Sequence, residues 1–365
     1  MPLKIIKRPD SAYWQLIGTI NGRRIRESTG TTVRRRAEEY RAKRESEIWQ
    51  ASIYGEKSVI TFSHAVAAYL EAEERHSATK AYLARLLEFF RNTKLLEINQ
   101  ARLDEAYKVV LIKGMASSPA TKKRAVNTPV SAVMRFAAQR GWCELPAFAP
   151  VRMKEKSVPF LYPDEVIRLV SSAAEHLRPL LIFLVGTGAR SSEALELEWN
   201  DVDLKGRRAV LWQKQGNQRH IDLPPVVMKA LSDLPHRSER VFVHYRNGAE
   251  RKGLAYHDNA RTSGGQFKRG WAGACERAGL PGRYKEWVPK GEVRERRQFV
   301  PEHTPHALRH TWASWHYCLH RDLLLLKEEG GWGTIRMVER YSKLVPDAYR
   351  DEIRQFMAGG FLSRN

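Results

Sequence analysis

Alternating apolar and polar residues mark the first segments of the chain. The stretches LKIIKR, YWQLIGTI and RRIREST have the period of two that is typical of strands, and Asn21-Gly22 between the last two favours a type I′ hairpin turn. An arginine-rich helix is predicted next, roughly at 32–51. We expect residues 1–55 to form a small β-rich unit in which two or three strands pack on one helix.

A helical period replaces this alternation in residues 60–148. Apolar residues recur there three and four positions apart, which predicts four short amphipathic helices. Ser118-Pro119 provides an N-cap and a first-turn proline for the last of these helices. Pro129 lies within that last helix, so it must either kink the helix or restart it.

The proline-rich stretch PAFAPVRMKEKSVPF has little periodicity and predicts a linker, residues 149–160. Residues 161–345 have a mixed pattern of helices and short strands, so we expect an α+β domain there. The segments that alternate like strands are 199–204, 208–214, 218–223, 240–244, 284–288 and 296–300. The fold class is therefore multidomain and mainly α-helical, with small β-sheets.

Composition narrows the choice of partner. The chain has 365 residues with 62 Lys plus Arg against 41 Asp plus Glu, a net charge of +21. This charge favours nucleic acid over a membrane, because no apolar run approaches membrane-spanning length. The three cysteines have no CxxC spacing, which favours a reducing cytosol and argues against a disulfide framework or a zinc site. MPLKIIKRPD has no secretory pattern, so we expect an intracellular protein.

A stretch near the end of the chain carries the candidate chemistry. His306 and Arg309 are three positions apart in TPHALRHT, so both side chains emerge on one helix face. Trp332 and Tyr341 close the same stretch. In a basic protein, this set of side chains suggests work on a phosphodiester. The alternative is an ordinary amphipathic helix pair with a core histidine.

Four motifs in the second half of the chain support the first interpretation. They are GTGARSSEALELEW with Arg190, LWQKQGNQRHIDLP with Lys214, HALRH with His306 and Arg309, and GGWGTIRMVERY with Trp332 and Tyr341. In order and spacing these motifs resemble those of the tyrosine recombinases, in particular the phage-type integrases. The resemblance covers about 160–345 through its motifs and 1–150 only through its layout. It implies that these six residues are catalytic and that Tyr341 is the nucleophile.

Two features depart from the family pattern. Trp332 stands where the family usually has histidine, and an indole donates one N–H but cannot shuttle a proton. The segment 249–302 is longer than a minimal member would need. It is either an additional DNA-contacting hairpin or a tolerated surface insertion.

Cleavage of a phosphodiester explains the need for these residue types. Attack on phosphorus builds negative charge on two non-bridging oxygens, which Arg190 and Arg309 are suited to bind. Tyr341 has a reference pKa of about 10, so it needs a base; His306 is the natural one, or else a hydrogen-bonding partner for the oxyanion. Lys214 is expected to return a proton to the leaving 5′-oxygen. The product is a 3′-phosphotyrosyl intermediate that requires no metal or other cofactor.

Neighbouring polar residues are given supporting roles. Glu193 and Glu196 are expected to orient the arginines or to cap their helix. The other histidines of the last stretch are expected to be structural residues or phosphate contacts, with His310 closest to the motif.

Basic side chains of the first two domains are the candidate DNA contacts, although each face also fits an ordinary solvated surface. These candidates are Arg23, Arg24 and Arg26 on a predicted strand, and Lys122, Lys123, Arg124 and Arg135 on a predicted helix. The resemblance implies an N-terminal unit that binds arm-type sites, a SAM-like core-binding domain and a catalytic domain. It further implies a homotetramer on paired double-stranded DNA attachment sites, DNA-bending and directionality factors as further partners, and a cytoplasmic location.

The C-terminal tail and the overall activity retain alternatives. The tail, residues 346–365, sets Tyr349, Ile353, Phe356 and Met357 on one helical stripe, which packs on its own domain or, as the resemblance favours, docks on a neighbouring subunit. The expected activity is integration or excision of a mobile element. The alternatives are a type IB topoisomerase-like enzyme, a non-catalytic architectural DNA-binding protein and an RNA-binding protein.

Overall fold

The computed structural model describes residues 3–20, 23–54, 59–153, 158–212, 217–235, 237, 239–246, 249–250, 256, 265–289, 291, 294–342 and 345–363. The chain divides into two units, Met1–Glu155 and Lys156–Asn365. No helix among the described residues combines the length and the apolar character needed to cross a membrane.

The first unit begins with the predicted small sheet. Its strands are β1 (Lys4–Lys7), β2 (Trp14–Ile20) and β3 (Arg23–Ser28), which pair antiparallel in that order, and helix α1 (Arg34–Tyr54) follows. Leu16 on the central strand is fully buried, which anchors the sheet on α1. Ile20 pairs with Arg23, so two residues join β2 to β3; the predicted Asn21-Gly22 turn lies outside the described residues.

The rest of the first unit is helical, as predicted. Its helices are α2 (Phe62–Glu71), α3 (Ser77–Phe90), α4 (Gln100–Val110), α5 (Pro119–Lys122) and α6 (Thr128–Gln139). Phe62, Leu86 and Val130 are fully buried in their common core. Pro129 does not interrupt the chain's helical course: five residues, Lys123–Asn127, form a π-helical turn between α5 and α6, and the residues at both junctions keep right-handed helical dihedrals. This turn accommodates a proline, which has no N–H to donate to the preceding turn.

The second unit combines eight helices and several short strands among its described residues. The helices are α7 (Pro163–Ser172), α8 (Arg178–Thr187), α9 (Ser191–Glu196), α10 (Pro225–Ser232), α11 (Gly265–Arg277), α12 (His306–His320), α13 (Leu323–Gly330) and α14 (Arg350–Met357). The strands are β4 (Val202–Asp203), β5 (Arg208–Trp212), β6 (Gln218–Asp222), β7 (Tyr245–Arg246), β8 (Ala249–Glu250), β9 (Gly282–Trp287) and β10 (Arg296–Pro301). All pairings between these strands are antiparallel: β4-β5-β6, β7-β8 and β9-β10.

Helix α8 is the centre of this unit. Nine of its residues, from Pro179 to Thr187, are buried, and it packs against both α10 and α12. A fully buried side chain such as Phe183 stabilises the fold by about 1.5–3 kcal/mol relative to exposure. The helix ends at Gly188, whose φ of 64° is left-handed. A Cβ at Gly188 would lie 2.2 Å from the ring of Trp312 on α12, so the close approach of these elements requires glycine.

Two strand predictions were wrong. Within 199–204, residues Trp199–Asp201 form a 3₁₀ turn and the strand is confined to β4. The segment 240–244 is not a strand; it makes one antiparallel bridge, between Glu198 and Arg240. Its apolar residues Val241 and Phe242 are instead buried in the core as irregular chain, and an apolar run of this length does not distinguish the two outcomes.

The insertion 249–302 and the C-terminal tail both contribute to this core. Trp271 on α11 is buried in it, whereas β9 and β10, at the predicted strand segments 284–288 and 296–300, pair antiparallel at the surface. The choice between a DNA-contacting hairpin and a tolerated surface insertion stays open. On α14, Ile353 and Phe356 are buried in the same core, and Phe356 makes an edge contact with Trp315. The tail stripe thus packs on its own domain in this structure; docking on a neighbouring subunit stays a prediction.

Candidate active site

The N-terminal half of α12 presents three polar residues on one side. His306 begins the helix, and Arg309 and His310 follow at the spacings that place side chains on one face. His306 is exposed, His310 is half-buried and Arg309 retains 2% exposure. The helix brings them to the site because Trp312 and Trp315, on neighbouring turns, anchor it in the interior.

Arg309 is fixed by two backbone carbonyls. Its Nη1 donates to the carbonyl oxygen of Gly188, and its Nη2 donates to that of Gly330 at 2.6 Å. The guanidinium also lies 4.2 Å from the ring centre of Trp332. Burial, followed by the charges of Arg190 and Arg219, lowers the pKa of Arg309 to about 9. A bound anion would stabilise the charged form of Arg309 and raise this pKa again, because it would supply the opposite charge that the buried guanidinium lacks.

Arg190 is positioned by a capping box. It precedes α9, and the carboxylate of Glu193 accepts its backbone N–H at 2.9 Å and also pairs with its guanidinium. The side chain of Arg190 stays 40% exposed, whereas that of Glu193 is 4% exposed. The predicted orienting role of Glu193 is therefore confirmed. The exposed part of Arg190 leaves donors available for a ligand.

Arg219 is a third guanidinium that the sequence interpretation missed. It lies on β6, donates through Nη2 to Glu193 at 3.2 Å and donates through Nη1 to the carbonyl oxygen of Glu329. Arg219 shares its strand face with Ile221, and both are buried. The sequence did contain a signal for Arg219: its position two residues from Ile221 places it on the buried face of the strand. An arginine buried there needs an anionic or carbonyl partner.

The electrostatics of Glu193 follow from these contacts. Burial alone would raise the pKa of its carboxyl group. The hydrogen bonds from Arg190, together with the charge of Arg219, outweigh this effect and hold the pKa below its ordinary value. Glu193 is therefore ionised at neutral pH and couples the two arginines.

Tyr341 ends a 3₁₀ turn, Glu339–Tyr341, and is 2% exposed. Its hydroxyl lies 2.8 Å from Nδ1 of His310. Burial raises the pKa of Tyr341, and the charges of Arg340 and Arg309 oppose this rise. From the sequence, His306 was expected to be either the base for this phenol or a hydrogen-bonding partner for the oxyanion. In the structure the hydrogen bond of the phenol is to His310. The ring of His306 instead stands edge-on to His310, with the ring centres 4.7 Å apart.

Trp332 packs against two other aromatic residues at the site. Its ring centre is 5.6 Å from that of Tyr341, and it stacks on Trp312 at 6.1 Å. Gly330 is required next to it, because a Cβ there would overlap the indole at 1.8 Å. The structure therefore gathers Arg190, His306, Arg309, Trp332 and Tyr341, five of the six predicted catalytic residues. The sixth, Lys214, lies outside the described residues.

The predicted DNA-contact residues belong to the first unit. Arg24 and Arg26 are exposed two positions apart on β3, and the side chain of Arg23 lies outside the described residues. Lys123, Arg124 and Arg135 are exposed on the last helical segment. Lys122 is half-buried, with its ammonium 5.3 Å from the ring centre of Tyr107.

Comparison with known proteins agrees with this geometry. The model of the phage integrase family matches residues 159–346, and that of the phage integrase N-terminal domain matches residues 4–52. The integrase of Salmonella phage P22 is 27% identical over 370 residues, which cover 92% of this chain and 89% of the relative. The tyrosine recombinase XerD of Mycobacterium tuberculosis is 28% identical over 254 residues, covering 65% and 74% of the two chains.

Solved structures share the fold. A lambda integrase dimer bound to a COC′ core site superposes with a TM-score of 0.56 at 16% identity, covering 94% of this chain and 95% of the other. The Tn1549 transposon integrase in complex with circular intermediate DNA has a TM-score of 0.53 at 18% identity, covering 82% and 99%. Because the first family model alone spans more than half of the chain, the protein belongs to the phage integrase family and is a tyrosine-type site-specific DNA recombinase.

Proposed function

We propose that this recombinase cleaves and rejoins duplex DNA through a 3′-phosphate ester on Tyr341, and that it thereby integrates or excises a mobile element. The observation that carries the proposal is the placement of the Tyr341 hydroxyl, hydrogen-bonded at 2.8 Å, in the field of the positive charges of Arg340 and Arg309. A phenol is a usable nucleophile where positive charge and a proton acceptor stabilise its loss of a proton.

Arg190 and Arg309 bind the two non-bridging oxygens of the scissile phosphate. Guanidinium groups suit this role because they stay charged and offer a planar fork of donors. Two Nη atoms of Arg309 are already held by carbonyls, so it approaches the phosphate in a fixed orientation. Such preorganised donors stabilise charge that develops in the transition state without a cost of reorganisation at the moment of reaction.

The remaining site residues serve the oxygens and the leaving group. His306 is exposed at the start of α12 and donates a hydrogen bond to a non-bridging oxygen. The indole N–H of Trp332 supplies a further donor. Lys214 returns a proton to the 5′-oxygen as general acid. The phosphodiester bond energy is kept in the tyrosyl ester, so rejoining needs no external energy source.

The partner is double-stranded DNA at paired attachment sites, bound by a homotetramer with DNA-bending and directionality factors, in the cytoplasm. The net charge of +21 and the exposed arginines of β3 support a DNA partner, since phosphate attraction supplies most non-specific affinity. Two solved structures with this fold support it too: a lambda integrase dimer bound to a core site, and the Tn1549 transposon integrase in complex with circular intermediate DNA. The small N-terminal sheet unit is assigned to arm-type sites, and the helical domain to core sites.

Suicide duplexes test this proposal. Nicked duplexes tiled across the DNA that flanks the gene are incubated with wild type, Tyr341→Phe and Lys214→Ala, and covalent adducts are separated on denaturing gels. We expect an SDS-resistant adduct with wild type that Tyr341→Phe abolishes. Lys214→Ala should form adduct only when the 5′-oxygen is replaced by a better leaving group. Tight binding without any adduct would contradict the proposal and favour an architectural role, and relaxation of supercoils without exchange of flanking DNA would favour a topoisomerase.

A further inference from the structure

We propose that His310 is a catalytic residue, whose Nδ1 takes the phenolic proton of Tyr341 as the bond from oxygen to phosphorus forms. This proposal rests on the proposed function, because it assumes that Tyr341 is the nucleophile. It assigns the base role to a residue next to the motif histidine, and it leaves His306 as a donor to the phosphate.

The contact geometry supports this assignment. The Tyr341 hydroxyl lies 2.8 Å from Nδ1 of His310, within the range for a hydrogen bond that transfers a proton. For the phenol to donate, Nδ1 must carry its lone pair, so the proton of the neutral ring resides on Nε2. The two ring centres are 5.7 Å apart and the ring planes are tilted by 37°, which leaves the polar atoms facing each other at the ring edges.

Both members of the pair are held in place. Tyr341 is 2% exposed and packs against Val158, Trp312 and Val338. His310 lies within α12, four residues ahead of Ser314, whose hydroxyl donates to the carbonyl oxygen of His310 at 2.9 Å. A buried tyrosine that faces a fixed imidazole has its acceptor in position before any substrate arrives, which avoids a search for the reactive geometry.

The motif histidine is less well placed for this step. His306 is exposed at the first turn of α12, and its ring contacts the ring of His310. In the part of the chain that the structure describes, the hydrogen bond of the phenol goes to His310. His306 instead shares the open side of the site with the exposed part of Arg190, where a phosphate would enter.

The surrounding charges keep His310 available as an acceptor. Burial first, and then His306, Arg340 and Arg309, lower its pKa to about 4. Arg340 and Arg309 also face Tyr341 and oppose the rise of its pKa. His310 is thus neutral at physiological pH, and in the tautomer that the proposal assigns, the lone pair of Nδ1 faces the phenolic proton.

Cleavage couples one bond exchange at phosphorus to two proton transfers. The oxygen of Tyr341 bonds to phosphorus while the bond from phosphorus to the 5′-oxygen breaks, and the phenolic proton moves to Nδ1 of His310. The 5′-oxygen takes a proton from the general acid assigned to Lys214. In rejoining, the 5′-oxygen bonds to phosphorus as its hydroxyl proton returns to Lys214. The bond from phosphorus to the Tyr341 oxygen breaks, and the His310 imidazolium returns its proton to the departing phenolate. One residue therefore serves as base in cleavage and as acid in rejoining.

The test compares full-length wild type with His310→Gln, His310→Ala, His306→Gln and His306→Ala on the same suicide duplex. Glutamine keeps a hydrogen-bond acceptor but cannot take up a proton. We expect His310→Gln to lower the rate of adduct formation by about 10²–10⁴-fold. Its affinity for duplex DNA and its melting temperature should stay near those of wild type.

The pH profile separates a base from a structural support. Wild type should cleave at a nearly constant rate between about pH 6 and 9, whereas the His310→Gln rate should rise with pH as phenolate becomes available. Added imidazole should partly restore His310→Ala, which keeps the test decisive even where glutamine disturbs the fold. His306→Gln should be slower without a change in the shape of its profile.

Three outcomes of these experiments are distinguishable from one another. If His310→Gln cleaves within about threefold of wild type with the same pH profile, the base assignment is wrong while the nucleophile assignment stands. If wild type forms no adduct, or if Tyr341→Phe still forms one, the proposed function itself has failed. Imidazole rescue of His306→Ala rather than of His310→Ala would return the base role to the motif histidine.

Discussion

Replacing Glu193 with glutamine removes a buried negative charge that lies between Arg190 and Arg219. The side chains of Glu193 and Arg219 are 4% and 6% exposed, and the carboxylate accepts from Arg219 at 3.2 Å. Removing one partner of a buried ion pair costs about 3–5 kcal/mol, because the other charge is left uncompensated. Arg190 is 40% exposed, so water compensates much of its loss.

The expected effect lies at the lower end of this range, because glutamine keeps an acceptor for the Arg190 backbone N–H. We expect the free energy of unfolding to fall by about 3 kcal/mol, which corresponds to a fall in melting temperature of about 6–12 °C for a unit of this size. Thermal unfolding of the full chain, followed by circular dichroism, measures it. Glu196→Gln on the same helix is the matched control, since Glu196 is exposed and should change little.

A double-mutant cycle identifies the pair. Glu193→Gln with Arg219→Gln should destabilise by clearly less than the sum of the single changes, because the double variant leaves no unpaired buried charge. The pKa of Glu193 is held below its ordinary value of 4.5, so its contribution is present above that pH and is lost as pH falls through the folded pKa. The difference in free energy of unfolding between wild type and Glu193→Gln should therefore become smaller at acidic pH. A Glu193→Gln variant as stable as Glu196→Gln, or strictly additive changes, would show that Glu193 and Arg219 do not form a stabilising pair.

Three further changes test other parts of the account. Gly188→Ala should lower the free energy of unfolding, measured in urea, by about 2–5 kcal/mol, since it adds backbone strain and a clash with Trp312. Gly279 is equally left-handed but has open space around it, so Gly279→Ala should show the effect of the strain alone. Trp332→Phe should keep its packing yet lower the cleavage rate by about 10²–10³-fold for the lost donor, and a rate equal to wild type would exclude that role. In binding assays across a salt series, the slope of log affinity against log salt should become shallower by about 0.9 for each phosphate contact removed, and an unchanged slope would place the DNA elsewhere. The substituted residues for this last test are Lys123, Arg124 and Arg135, each changed to alanine.

Much of the active site follows from local sequence. Helical spacing alone places His306 and Arg309 on one face, and the capping box explains how Glu193 holds Arg190. These relations involve residues three positions apart, so they form wherever the helix forms. The strand alternation of β5 and β6 is likewise local and was predicted.

The remaining features depend on tertiary packing. Arg219 meets Glu193 across 26 positions of sequence, so parity reveals that it points inward but not what it meets. The choice between His306 and His310 depends on where the 3₁₀ turn buries the ring of Tyr341, which no local pattern specifies. The segment 240–244 shows the same difficulty, because its apolar run fits a strand and an irregular core segment equally well.

The central claim is that Tyr341 carries the covalent link to DNA, and peptide mapping of the trapped adduct tests it most directly. Wild type is trapped on a suicide duplex, digested with nuclease and protease, and analysed by tandem mass spectrometry. We expect one nucleotide-bearing peptide, with the 3′-phosphate esterified to the oxygen of Tyr341. A link to any other residue, or to a 5′-phosphate, would contradict it.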